Sequence, residues 1–156
     1  MGIISPQKRS AASKALIALL LIAFSPILIV AILLYFLWGA VLYIAIWLTW
    51  KKQRVLFVYS DSPIWKDYIE KEILPYVRDR AVILNWSERR IWKNSLAVLA
   101  FRFFGGYRNF NPIGIVFHPF RFVKTYRFFE AFKEFKHGNT KKVEALKKEL
   151  FDILGI

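Results

Sequence analysis

The chain has 156 residues, 56% of them hydrophobic and 18% aromatic, with 24 Lys and Arg against 11 Asp and Glu, a net charge of +13 and no Cys. The lack of Cys excludes disulfides, zinc–thiolate sites and dithiol redox chemistry. A field this positive calls for an anionic counterpart, and the length allows one small domain beside any other segment.

Residues 15–50 carry no charged side chain; Lys8, Arg9 and Lys14 precede them, and Lys51, Lys52 and Arg54 follow. A run of about 18 or more apolar residues reads as a transmembrane segment, because a helix satisfies its own backbone polar groups inside lipid. At about 1.5 Å per residue, 36 residues reach well past a hydrocarbon layer of about 30 Å. Ser25 and Pro26 mark the place for a bend, Pro26 through its missing N–H and Ser25 as the cap of a fresh helix. One long helix, kinked there and tilted, is the favoured arrangement. A tight hairpin, and a span over residues 15–34 followed by an interfacial stretch, compete with it. Tyr35, Trp38, Tyr43, Trp47 and Trp50 crowd the second half, and such side chains favour the headgroup zone. The apolar run is too long for a secretory signal core and lacks a small-residue cleavage site, so it reads as a retained anchor.

The chain therefore divides into a basic flank (1–14), a membrane-embedded helical segment (15–50) and a basic α/β domain (51–156) that holds every acidic residue. Within the domain, residues 55–59 form a β-branched and aromatic run, read as a strand, that ends in Ser60, Asp61, Ser62 and Pro63, a turn and a helix start. A helix to about Arg78 follows, interrupted at Pro75. Residues 81–86 read as a second strand, and 91–104 as a helix closed by Gly105 and Gly106. Residues 113–117 form a third strand. Residues 120–126 are either a fourth strand paired with it or a first helical turn. Residues 128–136 and 140–154 are helical, the last amphipathic, with Val143, Leu146, Leu150, Ile153 and Leu154 on one face.

Strands alternating with helices imply a mainly parallel sheet of three or four strands covered by helices. The order β, α, β, α, β, β, α, with Pro112 just before the third strand, resembles the thioredoxin-like architecture over most of residues 54–154. That family's working motif is two Cys at the start of the first helix. Here the matching stretch is Ser60, Asp61, Ser62, Pro63, Ile64 and Trp65, so thiol chemistry does not carry over. A small Rossmann-like sheet is the rival fold, but its first turn would need the G-x-G-x-x-G that is missing here. No cofactor is implied, and the His and carboxylates are too scattered to suggest a metal site.

Ligands of open α/β sheets bind beyond the carboxyl ends of the strands. A parallel sheet would bring Ser60, Asp61 and Ser62 together there with Asn85, Ser87, Glu88, Arg89 and Arg90, and with His118 and Arg121. Asp61, Glu88 and His118 are the candidate acids and bases. Ser60, Ser62, Ser87, Arg89, Arg90, Arg108, Asn109, Asn111 and Arg121 are the candidate anion ligands. The plainer roles are helix capping for Asp61 and Ser62, a capped turn for Asn85, Ser87 and Glu88, and a surface turn for His118.

From residue 89 to 129 there are eight basic residues, Arg89, Arg90, Lys93, Arg102, Arg108, Arg121, Lys124 and Arg127, and no acid, interleaved with aromatics such as Trp92, Phe103, Tyr107 and Phe122. Phe101, Phe104 and Phe117 are expected in the core. On a tethered domain this mixture suits an acidic membrane surface, and nucleic acid is disfavoured because no recognised module is present. Two functional classes stay open. One is a membrane-anchored module engaging anionic lipid headgroups or a partner membrane protein. The other is a membrane-associated enzyme acting on a phosphorylated or nucleotide-linked substrate. The positive flanks favour a cytoplasmic domain.

Overall fold

The computed structural model describes residues 11–51, 53–107, 111–119 and 121–156. Residues 1–10 of the basic flank, and the candidate ligands Arg108 and Asn109, lie outside the described residues. The chain forms two compact units, Met1–Ala40 and Val41–Ile156.

The first helix, α1, covers Ala11–Thr49. It continues without a break through the hairpin position: Pro26 lies inside it, and the Ser25 hydroxyl donates to the Ile22 carbonyl (2.8 Å) instead of capping a new helix. Its Leu16–Thr49 portion is long and apolar enough to cross a membrane. The last turns belong to the second unit, where Leu42 and Ile46 are buried, Ile46 at 1% exposure, although their neighbours Ile44 and Leu48 are exposed.

The second unit is built on a four-stranded sheet of β1 (Val55–Tyr59), β2 (Ala81–Asn85), β3 (Ile113–Val116) and β4 (Lys124–Arg127), in the order β2-β1-β3-β4. β1 and β2 are parallel, with Val55 opposite Ala81 and Tyr59 opposite Asn85. β3 is antiparallel to β1, with Val55 opposite Val116 and Val58 opposite Ile113, and β4 is antiparallel to β3. The expected mainly parallel sheet is thus mixed. The connection from β2 to β3 is more than a crossover helix. A 3-10 turn at Trp86–Glu88 and an irregular run precede α4 (Leu96–Phe104), so the chain leaves and re-enters the sheet at one edge.

Every residue of β1 is buried because both sheet faces are covered, and the alternation of its side chains divides the core in two. Val55, Phe57 and Tyr59 join Ile69, Ile73, Val77, Phe128, Phe132, Val143 and Leu150, contributed by α2 (Lys66–Glu72), α5 (Phe129–Phe135), α6 (Lys141–Leu154) and neighbouring segments. The short helix α3 (Leu74–Val77) is separated from α2 because Pro75 has no N–H to continue the ladder. On the opposite face Leu56 and Val58 join Ala97, Ala100 and Phe101 of α4, with Ile113, Ile115, Phe117 and Ile46. Phe101 and Phe117 are core residues, as expected, and Phe104 packs beside them half-buried. α4 is capped by Ser95, whose hydroxyl accepts from the Val98 N–H (3.3 Å), and so starts at Leu96, five residues later than the apolar run alone predicts.

Candidate functional site

The sheet directions sort the candidate residues between two edges. The carboxyl ends of β1 and β2 and the start of β3 share one edge, which gathers Ser60, Asp61 and Ser62, then Asn85, Ser87 and Glu88, then Asn111. The end of β3 lies at the other edge, since the Phe117 N–H donates to the Arg54 carbonyl ahead of β1. His118 and Arg121 therefore do not join Asp61; the convergence expected of a parallel sheet is lost because β3 runs the other way.

At the first edge Asp61 is held on several sides. Its carboxylate is 3.1 Å from the Lys66 ammonium and accepts from the Asn85 amide at 3.2 and 3.3 Å, and its own N–H donates to the Ser87 hydroxyl (2.9 Å). The hydrogen bond from Lys66, then that from Asn85, lower the Asp61 pKa below its ordinary value. A carboxyl held this way is ionised at neutral pH; it has no proton to give and is a weakened base. Asp61 is also no helix cap: α2 starts at Lys66, and the Ser62 carbonyl accepts from the Lys66 N–H (2.9 Å). Ser60 is buried and accepts from the Trp65 indole (3.3 Å), while the Ser62 hydroxyl accepts from the Ile64 N–H (3.4 Å). Asn85 caps the 3-10 turn by accepting from the Ser87 N–H (3.0 Å), as the turn reading expects. Glu88 and Arg90 are exposed. Asn111 Oδ1 is shut off from solvent with no hydrogen-bond partner among the described residues.

Beside this edge lies a groove of about 400 Å³ lined by Trp86, Arg89, Trp92, Phe101, Arg102, Gly106 and Tyr107. Trp86, Trp92 and Phe101 meet edge to face, with centroids 5.5 to 5.9 Å apart. The Arg89 guanidinium lies 5.1 Å from the Trp86 ring and donates to the Trp86 carbonyl (3.3 Å). Gly106 has a φ of 78°, and a Cβ there would come within 2.6 Å of the Arg127 guanidinium, which donates to the Gly105 carbonyl (3.3 Å). Tyr107 is fully exposed beside it. Sequence reasoning singled out Arg89, Arg102 and Trp92 but passed over Trp86 as a strand end; the signal was a Trp next to the basic run. An aromatic wall with guanidinium groups can take an anionic group carried on an apolar or planar body.

Among the described residues no group of three or more His, Asp and Glu is arranged to hold a metal ion. Comparison with protein-family models, with curated proteins and with solved structures finds no match.

Proposed function

We propose that this chain is a membrane-anchored, non-catalytic module whose basic, aromatic face engages an anionic counterpart, either acidic lipid headgroups or an acidic partner membrane protein. The groove carries the reading: Trp86, Trp92, Phe101 and Tyr107 line it together with Arg89 and Arg102. Residues 15–40 cross the bilayer. They reach about 39 Å as a helix, enough for a hydrocarbon layer of about 30 Å with tilt or with ends among the headgroups. The excess length of the apolar run is absorbed by Leu42 and Ile46, which serve the domain core. The domain faces the cytoplasm, supported by the Lys and Arg on both flanks.

The fold is read as a cysteine-less thioredoxin-like domain. Support comes from the strand order β2-β1-β3-β4, the parallel β1–β2 pair, the antiparallel β3–β4 pair and Pro112 directly ahead of β3. An enzyme acting on a phosphorylated or nucleotide-linked substrate has less support, because His118 and Asp61 stand at opposite sheet edges and Asp61 is tied to Lys66.

The test uses the full chain in lipid nanodiscs with and without phosphatidylglycerol. Hydrogen exchange across residues 86–107 should slow in the anionic discs, and the double variant Arg89→Glu, Arg102→Glu should lose that protection. Equal exchange in both lipids rejects the headgroup arm. Equal recovery of crosslinked membrane proteins from wild type and double variant rejects the partner arm.

A further inference from the structure

We infer that the loop between β3 and β4 is a second membrane contact, with Phe122 seated in the interfacial zone and Arg121 against anionic headgroups; this rests on the bilayer anchoring proposed above. Phe122 is 99% exposed, and Arg121 beside it is exposed too. A large aromatic left in water next to a cation is the pairing that membrane interfaces favour, since the ring enters the headgroup boundary while the charge stays with the phosphates.

The loop is pinned where this contact requires it. The Tyr43 hydroxyl of α1 donates to the His118 carbonyl and lies 3.3 Å from the Arg121 carbonyl, so two points of the loop are tied to one turn of the apolar helix. That turn lies within Leu16–Thr49, the stretch long and apolar enough to cross a membrane. Next to the tie, Tyr43, Ile44, Trp47 and Pro119 line an apolar hollow of about 270 Å³, the size and chemistry for part of an acyl chain.

Charge selects the same occupant. No acidic residue occurs from 41 to 60 or from 89 to 129. The loop's own edge of the sheet carries Arg54, Arg80 and His118 around a smaller hollow. The nearby carboxylate of Glu149 is taken up by Lys124. Each Lys or Arg close to an acidic leaflet strengthens binding roughly fivefold, the equivalent of about 1 kcal/mol. A bilayer with acidic headgroups meets both the exposed ring and the surplus of basic residues in these two stretches.

The absence of native Cys makes the experiment direct. Single variants Phe122→Cys, Leu28→Cys and Asp67→Cys of the full chain each take a thiol-reactive fluorophore. They are reconstituted in phosphatidylcholine vesicles with or without phosphatidylglycerol, doped with lipids that carry a nitroxide quencher. Position 28 reports the proposed span, and position 67, exposed at the start of α2, reports water. Quenching is expected at 28 and at 122 and not at 67. It should weaken at 122 without phosphatidylglycerol or when Arg121→Glu is added. No quenching at 28 removes the anchoring itself. Quenching at 28 with position 122 as silent as 67 overturns this inference alone. Crosslinking of two copies through position 122, with no quenching there, also overturns it and makes a second copy the occupant. Since the Phe122 side chain is almost wholly exposed, its replacement leaves both cores intact, which an unchanged circular dichroism spectrum verifies.

Discussion

The indole of Trp50 and the ring of Phe117 meet edge to face, with centroids 5.8 Å apart. The chain leaving the apolar helix is therefore already inside the core that covers one face of the sheet, four residues after Ile46 has been sealed into the same cluster.

Ile46→Ala should destabilise the domain by about 2–5 kcal/mol, the usual cost of emptying a buried aliphatic site. Leu48→Ala, an exposed position on the same helix, should change it by less than about 0.5 kcal/mol in detergent. Chemical denaturation of the full chain in detergent measures both. Equal small effects would mean that the end of α1 contributes nothing to the fold.

Asp61 offers a pH measurement. The hydrogen bonds from Lys66 and Asn85 lower its folded pKa, so its contribution to stability is present above the ordinary carboxylate value and is lost as pH falls through the lowered one. Lys66→Ala should move the Asp61 carboxyl back up toward its ordinary value in an NMR titration. A titration curve unchanged by that substitution would remove Lys66 as the principal cause.

Tyr68 governs the alkaline side. Burial first, then the hydrogen bond its hydroxyl donates to Glu144, push its phenol up to about 12. The folded state holds this proton more tightly than the unfolded chain, whose phenol titrates near 10. The contribution is complete below about pH 10 and disappears as pH rises from about 10 to about 12. Wild type should lose stability more steeply across that window than Tyr68→Phe. Parallel curves would show that the phenol is not linked to folding.

Gly106 is the fourth test. Its φ of 78° suits a residue without Cβ, and an added methyl would meet the Arg127 guanidinium. Gly106→Ala should cost about 1–2 kcal/mol of stability and displace Arg127 from the Gly105 carbonyl. Unchanged stability together with an unchanged Arg127 side-chain NMR spectrum would contradict both expectations.

Much of the secondary structure was legible because its signals are local. The β-branched and aromatic run at Val55–Tyr59 marks a strand wherever it packs, and the spacing of Val143, Leu146 and Leu150 marks one face of α6. α4 starts five residues after the apolar pattern does, because Ile91 and Trp92 extend that pattern ahead of the helix. The capping hydroxyl of Ser95 was the better guide. Of the candidate site, the cluster of Ser60, Asp61, Asn85 and Ser87 follows from two strand ends lying side by side. The aromatic groove needed the folded connection between β2 and β3.

By itself the sequence determined that 36 consecutive residues carry no charge, that a basic α/β domain follows, and that thiol and disulfide chemistry is excluded. These are matters of composition and short-range periodicity. Tertiary structure alone decided that β3 runs antiparallel to β1, which sends His118 away from Asp61. It also decided that Ile46 and not Ile44 belongs to the domain core. Strand direction depends on the whole path of a connection, and in a uniformly apolar helix no residue pattern distinguishes the side that meets protein from the side that does not.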